Sequence, residues 1–582
     1  MPSFSRNMVQ KWVNYHLTVQ GRYVPQSATG FDPDLTDKLD SAQCGYPNGS
    51  VREVATLHCS DLGSRDGPEM LAVTGSTLQH LLSLVVDPSQ ETKVVPFRPA
   101  ADCVAIGRGW SFSRLVGARD YLIDTAGWSG MRLVHPQDLA ASPADPANRK
   151  LALVLGGTRL RELTAWAQRE HGLSIETSGT HLGLSVAGSV ATASHGSRLG
   201  FGGIQNMVRG LHIVTGPTSS AWIERASDPV LRQQAAEQFA TEIIRDDALF
   251  EDVLVHLGGM GLVNALALQL VDDDPYDVGI AVETVGEADL ATLAAGDFDA
   301  VAQKFAGRSD PVFYELTIDP FDWAGNEAVH TFYFRSGQAK AFDPQIEPLQ
   351  RTFADASGMI AATMLREKLS PAAGFPSVFE RYREAVKALP QPQGVRWNQL
   401  HGDEITGGFP GALYNASFAI DRTYLPQVIP LMCQAVAGQL PTFLFTVRFV
   451  SEPAGTLAFT RFRHNAVIEI DGFSDKAPGE LGQFGQSIVV ATSQIRAALE
   501  ALEQNDPAFG FGMHWGKLGD LDRAKVEHDF DRPDAGGSTP LGRWKAARAR
   551  LLGKDIRKIL WNEALDDWGM AGPSSGPQDG GN

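Results

Sequence analysis

The sequence predicts an α+β protein with two domains, and three observations lead to this prediction. The chain has 582 residues, enough to bury more than one hydrophobic core. Between about Thr92 and Val271, short apolar runs typical of buried strands recur between turn signals. After Asp272 the predicted strands and helices become longer, which indicates a second domain. Strands and helices do not alternate regularly along the chain, so a purely parallel α/β sheet is not expected.

Composition and charge exclude several classes of function. Hydrophobic residues make up 43% of the chain and charged residues 20%, as in ordinary globular proteins. The net charge of −18 argues against a nucleic-acid partner, because such binding depends on clustered lysine and arginine. The four cysteines are widely spaced, which fits neither a disulfide framework nor a metal site. The first segment, MPSFSRNMVQKWVNYH, lacks the apolar core of a secretory signal, so we expect a cytoplasmic protein without a transmembrane segment.

The individual elements of the first region follow from apolar periodicity. Strands are predicted at KVVPF, CVAIGRG, YLIDTAG, LALVLGG, LHIVTG and NALALQLV. A helix is predicted after Thr158, because Leu160, Leu163 and Trp166 recur at helical spacing and Gly172 suits the position after a helix end. The stretch 226–259 predicts one or two further helices.

The second region has longer elements. Strands are predicted at AVHTFYFRS, ALYNASFAID, TFLFTVRFV and AVIEIDG. Helices are predicted at YLPQVIPLMCQAVAG and ELGQFGQSIVVATSQIRAALEALEQ. The stretch 540–569 predicts a basic amphipathic helix or helix pair, and a polar, glycine-rich tail follows it.

Glycine-rich segments follow several predicted strands. They are AIGRGWSFS at 105–113, the glycine pair at 156–157, and SVAGSVATASHGS at 185–197. Glycine leaves backbone N–H groups unobstructed, which suits a pyrophosphate or the polar edge of a ring and suggests a phosphate-bearing cofactor. The alternative is that these segments are simple turns of a β-rich protein. The chain has neither a Walker loop nor a G-x-G-x-x-G motif that opens a βαβ helix, which disfavours a P-loop or a Rossmann site.

In this order, the segments resemble the FAD-binding domain of the vanillyl-alcohol oxidase superfamily, also called the PCMH type, and most closely its alditol oxidase and aldonolactone oxidase branch. The resemblance spans about residues 90–275, and KWVN at 11–14 and HWGK at 514–517 agree with it. It implies a two-domain flavoprotein with an FAD-binding domain and a cap domain of antiparallel sheet and helices that binds substrate. The implied division is 1–275 for FAD binding with an insertion at about 15–70, 276–540 for the cap, 541–570 for helices that return to the FAD domain, and 571–582 for a disordered tail.

The resemblance implies FAD as the cofactor, held mainly by backbone groups. The turn after the strand at 103–106 would wrap the pyrophosphate, the segment 185–197 would pass along the isoalloxazine, and the segment 258–263 would hold the adenine end. For His195 alone, the alternative is a structural histidine bonded to backbone. The implied FAD contacts are Ile106, Gly107, Arg108, Gly109, Trp110, Ser111, Gly179, Ser185, Gly188, Ser189, Thr192, Ala193, Ser194, His195, Gly196, Gly261 and Val263.

Trp110 departs from the pattern of this superfamily. Many relatives carry at this position a histidine that bonds covalently to the flavin, and tryptophan has no comparably nucleophilic ring nitrogen. We therefore expect non-covalent FAD; the alternative is a linkage through another residue, such as His181 or Cys103.

The predicted catalytic residues lie in the cap domain. FTVRFVSE at 445–452 resembles a strand of this branch whose arginine faces the substrate, so Arg448 is expected there, although Thr446 replaces the usual acid. HWGK supplies His514 and Lys517, and Lys517 is expected to bond the substrate hydroxyl. Rough alignment places Glu469 where relatives carry a histidine, which makes it a candidate acid or base, with Asp471 two residues on and on the same strand face. The alternatives are a strand-edge salt bridge for Arg448, a surface pair with Asp520 for Lys517, and a solvated carboxylate for Glu469.

The expected function is oxidation of a CH–OH group of a polyol, sugar or sugar lactone by hydride transfer to FAD, with reoxidation by O2 that yields hydrogen peroxide. In relatives, small residues beside the flavin, here Ala193 and Ser194, control oxygen access. The alternatives are an oxidase of a bulkier alcohol such as a sterol, a dehydrogenase with another electron acceptor, and a flavin-free binding protein. The expected partners are a small-molecule alcohol and an electron acceptor; nucleic acid is not expected, and a homo-oligomer is compatible with the sequence.

Overall fold

A computed structural model describes residues 3–8, 10–13, 20–23, 53–58, 67–86, 103–116, 121–142, 149–338, 378–389, 391–401, 413–473, 483–534 and 536–570. It confirms the predicted α+β fold class, with largely antiparallel sheets and helices packed against them. Among the described helices, none combines the length and apolarity that crossing a membrane requires. The strand predicted at KVVPF and the tail at 571–582 lie outside the described residues.

The described elements of the first half are mostly short. Its strands are β1 (Ser3–Met8), β2 (Gln10–Val13), β3 (Gln20–Tyr23), β4 (Glu53–His58), β5 (Cys103–Ile106), β6 (Tyr121–Gly127), β7 (Met131–Leu133), β8 (Leu151–Leu155), β9 (Leu173–Ser174), β10 (Val208–Gly216), β11 (Ser219–Glu224), β12 (Glu242–Arg245), β13 (Leu262–Gln269) and β14 (Val271–Asp272). Its helices are α1 (Gly67–Val86), α2 (Leu160–His171), α3 (Val186–Ala191), α4 (Gln233–Ala236) and α5 (Asp247–Leu254).

The second half has longer strands. They are β15 (Tyr276–Thr284), β16 (Pro311–Ile318), β17 (Glu327–Arg335), β18 (Leu413–Asp421), β19 (Phe443–Ser451), β20 (His464–Phe473) and β21 (Phe511–Met513). The helices are α6 (Glu287–Ala295), α7 (Phe298–Ala306), α8 (Val378–Lys387), α9 (Trp397–Leu400), α10 (Leu425–Ala435), α11 (Gln483–Asn505), α12 (Arg523–Phe530), α13 (Pro540–Leu551), α14 (Lys554–Ile559) and α15 (Glu563–Asp567).

Two larger sheets organise the first half. One has the order β1-β4-β6-β5, in which β4 and β5 both run parallel to β6. The other has the order β12-β11-β10-β13-β8-β7. Strand β4 belongs to the segment predicted as an insertion at about 15–70, yet it lies between β1 and β6. This part of the segment thus forms a strand that pairs with both neighbours.

A seven-stranded antiparallel sheet organises the second half, in the order β15-β17-β16-β19-β20-β18-β21. Side chains alternate between its two faces. Phe445 and Val447 on β19 belong to the same buried cluster as Ile468 and Ile470 on β20, and helices α6, α7, α10 and α11 also contribute to it. The alternate residues of the same strands face the other side, which carries the polar site described below.

The stretch 226–259 was predicted to hold one or two helices, and this prediction is partly wrong. Helices α4 and α5 are present, but β12 lies between them and pairs in parallel with β11. The β-branched residues Ile243 and Ile244 favour a strand. The pairing of this strand with β11 is a tertiary contact, which helical periodicity in the sequence does not reveal. Helix α2 agrees with prediction and is followed by Gly172 at φ 62°.

The C-terminal helices pack against the first half of the chain. On α13, Trp544 Nε1 donates to Val255 O at 3.2 Å and Arg548 Nε donates to Gly259 O at 2.7 Å. We propose domain boundaries near residues 275 and 540, because the sheets change between β14 and β15 and because α13 contacts the first half.

Candidate functional site

A cavity of about 410 Å³ lies between the glycine-rich segments of the first half and the seven-stranded sheet. Its first wall consists of the turn after β5, parts of the segment 179–195, and residues between His256 and Val263. Its second wall consists of side chains from β16, β18, β19, β20 and α8, together with the turn after β21. Residues far apart in sequence thus face each other across one space.

The cavity brings together nearly all of the predicted site residues. Lining it are Ile106, Gly107, Arg108, Gly109, Trp110, Ser111, Gly179, Ser185, Gly188, Ser189, Thr192, Ser194, His195, Gly261, Val263, Arg448, Glu469, His514 and Lys517. Ala193 and Gly196 do not line it. A Cβ at Gly196 would lie 2.2 Å from the Ser178 carbonyl oxygen, so this glycine permits a close backbone approach behind the wall. Ala193 is 1% exposed, at φ 55°.

Glycines shape the first wall for a defined reason. A Cβ at Gly107 would lie 1.9 Å from Ser185 Oγ, so the turn after β5 packs directly on the residue before α3. Gly109, Gly258 and Gly261 have φ values of 66°, 74° and 126°, which favour glycine. The chain therefore runs close to the cavity with few side chains to fill it.

Glu469 is the centre of an ionic cluster on the second wall. Its Oε1 accepts from Lys517 Nζ at 2.6 Å and from Ser417 Oγ at 3.3 Å, while its Oε2 lies 2.8 Å from Arg448 NH1. Glu469 is 1% exposed, so the interpretation as a solvated carboxylate is wrong. Burial by itself would raise the pKa of this carboxyl, but the charges of Arg448 and Lys517 outweigh burial and lower it.

Arg448 is held on three sides. Its Nε donates to Glu315 Oε2 at 2.7 Å, and its NH2 donates to Thr180 Oγ1 at 2.6 Å, in addition to the contact with Glu469. It lies on β19, between β16 and β20, so the strand-edge alternative is wrong. Burial opposes its charge, but Glu469 and Glu315 raise its pKa. Lys517 is paired with Glu469, and the predicted alternative of a surface pair with Asp520 is wrong.

Two buried histidines lie beside this cluster in opposite tautomers. His195 Nδ1 donates to Gly196 O at 3.0 Å, which leaves Nε2 unprotonated in the neutral ring, 3.9 Å from Glu469 Oε1. His514 Nδ1 accepts from Gly516 N at 2.9 Å, so its proton lies on Nε2. Burial lowers the pKa of His195 to about 4, partly opposed by Glu469. Burial and the charge of Lys517 hold the pKa of His514 well below its usual value. Both rings are neutral at pH 7.

Sequence reasoning did not identify several residues of the second wall. Glu315 contacts Arg448 from the paired strand β16, and Thr180 contacts it from the first wall of the cavity. Both are distant from Arg448 in sequence, so no local motif identifies them. Asp471, by contrast, was placed on the strand face of Glu469 by strand alternation, and it lines the cavity. Val378, Tyr382, Tyr414, Asn415 and Leu444 complete this wall.

The fold has known counterparts. No known family model matches the chain. Cholesterol oxidase from Brevibacterium sterolicum has a TM-score of 0.61 and 12% identity, with 97% of each chain covered. A solvent-stable cholesterol oxidase has a TM-score of 0.59 and 14% identity, covering 90% of this chain and 96% of the other. Xylooligosaccharide oxidase from Myceliophthora thermophila C1, in complex with xylobiose, has a TM-score of 0.46 and 12% identity, covering 79% of this chain and 85% of the other. The similarity to the cholesterol oxidases extends over both halves and shows the fold.

Proposed function

We propose that this protein is an FAD-dependent alcohol oxidase, which converts a CH–OH group to a carbonyl and passes the electrons to O2. One observation carries the proposal. The buried cluster of Arg448, Lys517 and Glu469 faces, across a single cavity, the glycine-rich wall whose segments resemble an FAD-binding domain. The likeness of the fold to proteins named as cholesterol oxidases supports the same class of reaction.

The residues of the first wall fit FAD. The turn from Gly107 to Ser111 offers backbone N–H groups beside glycines that admit a close ligand, as a diphosphate requires. Within the same wall, Trp110 lies against His181 with ring centroids 5.1 Å apart. When bound, FAD supplies a hydride acceptor, and we propose that it is held without a covalent bond because Trp110 occupies the position of the linking histidine.

The second wall supplies fixed positive charge. Arg448 and Lys517 lie where the substrate hydroxyl would gain negative charge as it loses its proton, and fixed cations in a buried site stabilise such charge without reorganisation. Glu315 and Glu469 hold both cations in place. His514 carries a proton on Nε2 and is thus a neutral hydrogen-bond donor at this wall.

Two substrate classes are each supported by part of the second wall. Asn415, Thr446 and Asp471 present polar groups that suit a polyol, sugar or sugar lactone, which is the class we propose first. Tyr382 and Leu444, with neighbouring apolar side chains, line the same wall and favour a bulkier apolar alcohol such as a sterol as the second candidate.

A substrate screen tests the proposal. The purified protein is expected to be yellow with the absorbance bands of oxidised flavin, and a colourless protein without flavin would contradict the proposal. Polyols, aldoses, aldonolactones and cholesterol are then compared for release of hydrogen peroxide in air. Bleaching of the flavin by an alcohol without peroxide release, but with reduction of an artificial dye, would identify a dehydrogenase instead.

A further inference from the structure

Three carboxylates and two cations line the second wall, and they do not pair evenly. Glu315 is paired with Arg448 at 2.7 Å. Glu469 is paired with Arg448 at 2.8 Å and with Lys517 at 2.6 Å. Asp471 forms no ion pair with any residue that the structure describes. The charges of the two cations are thus balanced by Glu315 and Glu469, and the charge of the third carboxylate, Asp471, is not balanced by either cation.

Asp471 is held by neutral groups. It lies on β20, opposite Asn415 of β18 and Leu444 of β19. Asn415 Nδ2 donates to Asp471 Oδ1, and the Thr446 hydroxyl also bonds this carboxyl. These groups orient the carboxylate without cancelling its charge. Burial, together with the negative charge of Glu469, raises the pKa of Asp471 to about 6 against the partial opposition of Lys517 and Arg448.

The other basic groups of the site are less suited to accept a proton. Glu469 is bonded to two cations, which lower its pKa. His195 Nε2 is fully buried, and no hydrogen-bond partner reaches it among the described residues. The Nε2 atom of neutral His514 already carries a proton. Asp471 also lines the cavity, and no ion pair to a described residue lowers its basicity.

We propose that Asp471 is the proton acceptor of the reaction, an inference that rests on the proposed function. The substrate O–H bond breaks, and its proton passes to a carboxylate oxygen of Asp471. The carbinol C–H bond breaks with both electrons, which leave as hydride to FAD, and the C=O bond forms. The alcohol thus loses two electrons and two protons, and bound FAD would be the acceptor of the electrons. In reoxidation, O2 would take up the two electrons together with two protons, one that arrived with the hydride and one released from Asp471, to give hydrogen peroxide.

Several charged or titratable groups line the same cavity as Asp471, and a group that titrates near pH 6 would produce the same pH dependence. They are Glu469 on β20, Arg448 on β19, Glu315 on β16, Tyr382 on α8, Tyr414 on β18, and His514 and Lys517 after β21. The pKa of Glu469 is lowered, and the pKa values of Arg448, Tyr382 and Tyr414 are raised, so none of these four titrates near pH 6. The pKa of His514 lies well below its usual value.

The test measures anaerobic reduction of the bound flavin by rapid mixing, with the best alcohol from the screen. For the wild type we expect the reduction rate to rise with pH to a plateau, with a midpoint near 6. Asp471→Asn should retain its FAD and keep its substrate affinity within about threefold. Its flavin should be reduced about 100-fold or more slowly than that of the wild type on the plateau, and the rise in rate near pH 6 should be absent. Glu283→Gln, an exposed change on β15 of the same sheet, should behave as the wild type.

A second readout does not depend on turnover. Because the folded pKa of Asp471 lies above its unfolded value, its carboxyl favours the folded state at low pH and loses this contribution as pH rises through about 6. The wild type should therefore lose thermal stability relative to Asp471→Asn between pH 4 and pH 7. A stability difference that is constant with pH would overturn the inference.

The outcomes separate the two proposals. A wild type that no alcohol reduces would overturn the proposed function and this role with it. A wild type that is reduced normally, alongside an Asp471→Asn variant within threefold of it on the plateau, would overturn only the role of Asp471.

Discussion

Lys517 Nζ and Glu469 Oε1 lie 2.6 Å apart, so the ammonium expected to face the substrate hydroxyl is also the partner of a buried carboxylate. Glu469 in turn contacts Arg448, which places both cations around one anion. In the proposed reaction, Glu469 would therefore position the two cations, and Asp471 would accept the proton.

Loss of the Lys517 charge should slow the reaction. In Lys517→Met we expect FAD to remain bound, because the proposed cofactor wall does not involve this side chain. Flavin reduction by substrate should fall about 100-fold or more, as when a buried charge-stabilising donor is removed. Anaerobic stopped-flow measurement of flavin bleaching checks this. Lys517→Arg, which keeps the charge, should recover part of the rate, and a Met variant within a few-fold of the wild type would remove Lys517 from the reaction.

Glu469→Gln should destabilise the protein. It leaves Lys517 without a carboxylate partner among the described residues, and breaking a buried ion pair in this way lowers the free energy of unfolding by about 3–5 kcal/mol. Because the folded pKa of Glu469 is lowered, its contribution is present above the unfolded value of 4.5 and is lost as pH falls below it. The free energies of unfolding, measured with urea at pH 7 and pH 4, should differ less between wild type and variant at pH 4 than at pH 7. An equal difference at both pH values would contradict the ionic origin of the effect.

FAD should leave the denatured protein. Trp110 cannot form the histidyl bond, so precipitation with acid should release all flavin into the supernatant. A yellow pellet, or a fluorescent protein band on a denaturing gel, would show a covalent bond and direct attention to His181, whose ring is 5.1 Å from that of Trp110. Digestion and mass spectrometry of the flavin peptide would then identify the linking residue.

Arg548 should support FAD binding from behind the cavity wall. Its guanidinium donates to the carbonyl oxygens of Gly259, Arg557 and Leu560, and Gly259 lies between two glycines that line the cavity. Arg548→Met removes these bonds, so we expect the affinity for FAD to weaken about tenfold, measured by quenching of flavin fluorescence on titration of apoprotein. Arg550→Met, on the same helix but half exposed, is the matched control and should bind FAD as the wild type does.

Acid should destabilise the protein through its buried histidines. His401 packs against Trp397, its ring nitrogens lack hydrogen-bond partners among the described residues, and burial lowers its pKa to about 3. Its neutral form stabilises the fold above the unfolded pKa of 6.5, and this contribution is lost as pH falls. The free energy of unfolding of His401→Phe, relative to that of the wild type, should therefore be about 2 kcal/mol higher at pH 5 than at pH 7.5. His171→Phe, at an exposed position, should show no such gain, and equal behaviour of the two variants would contradict the prediction.

Much of the first wall was predictable, because its residues are contiguous in the chain. A glycine-rich turn after an apolar strand is a local pattern, and both the turn after β5 and the segment 185–197 were identified from such patterns. Helix α2 was predicted for the same reason, since its periodicity and the glycine after it are local. Strand β12 was missed, because it is stabilised by pairing with β11.

By itself, the sequence determined the α+β class, many of the main elements and the glycine-rich segments of the first wall, since these depend on apolar periodicity and on the backbone freedom of glycine. The individual residues expected to contact FAD were implied by the family resemblance. Only the tertiary structure decided which charges meet. Strand register places Glu469 opposite Thr446, and the turn after β21 brings Lys517 to Glu469. Asp471 forms no ion pair within the part of the chain that the structure describes. Pairing and burial act through space, so the chemical state of each carboxylate depends on neighbours that are distant in the chain.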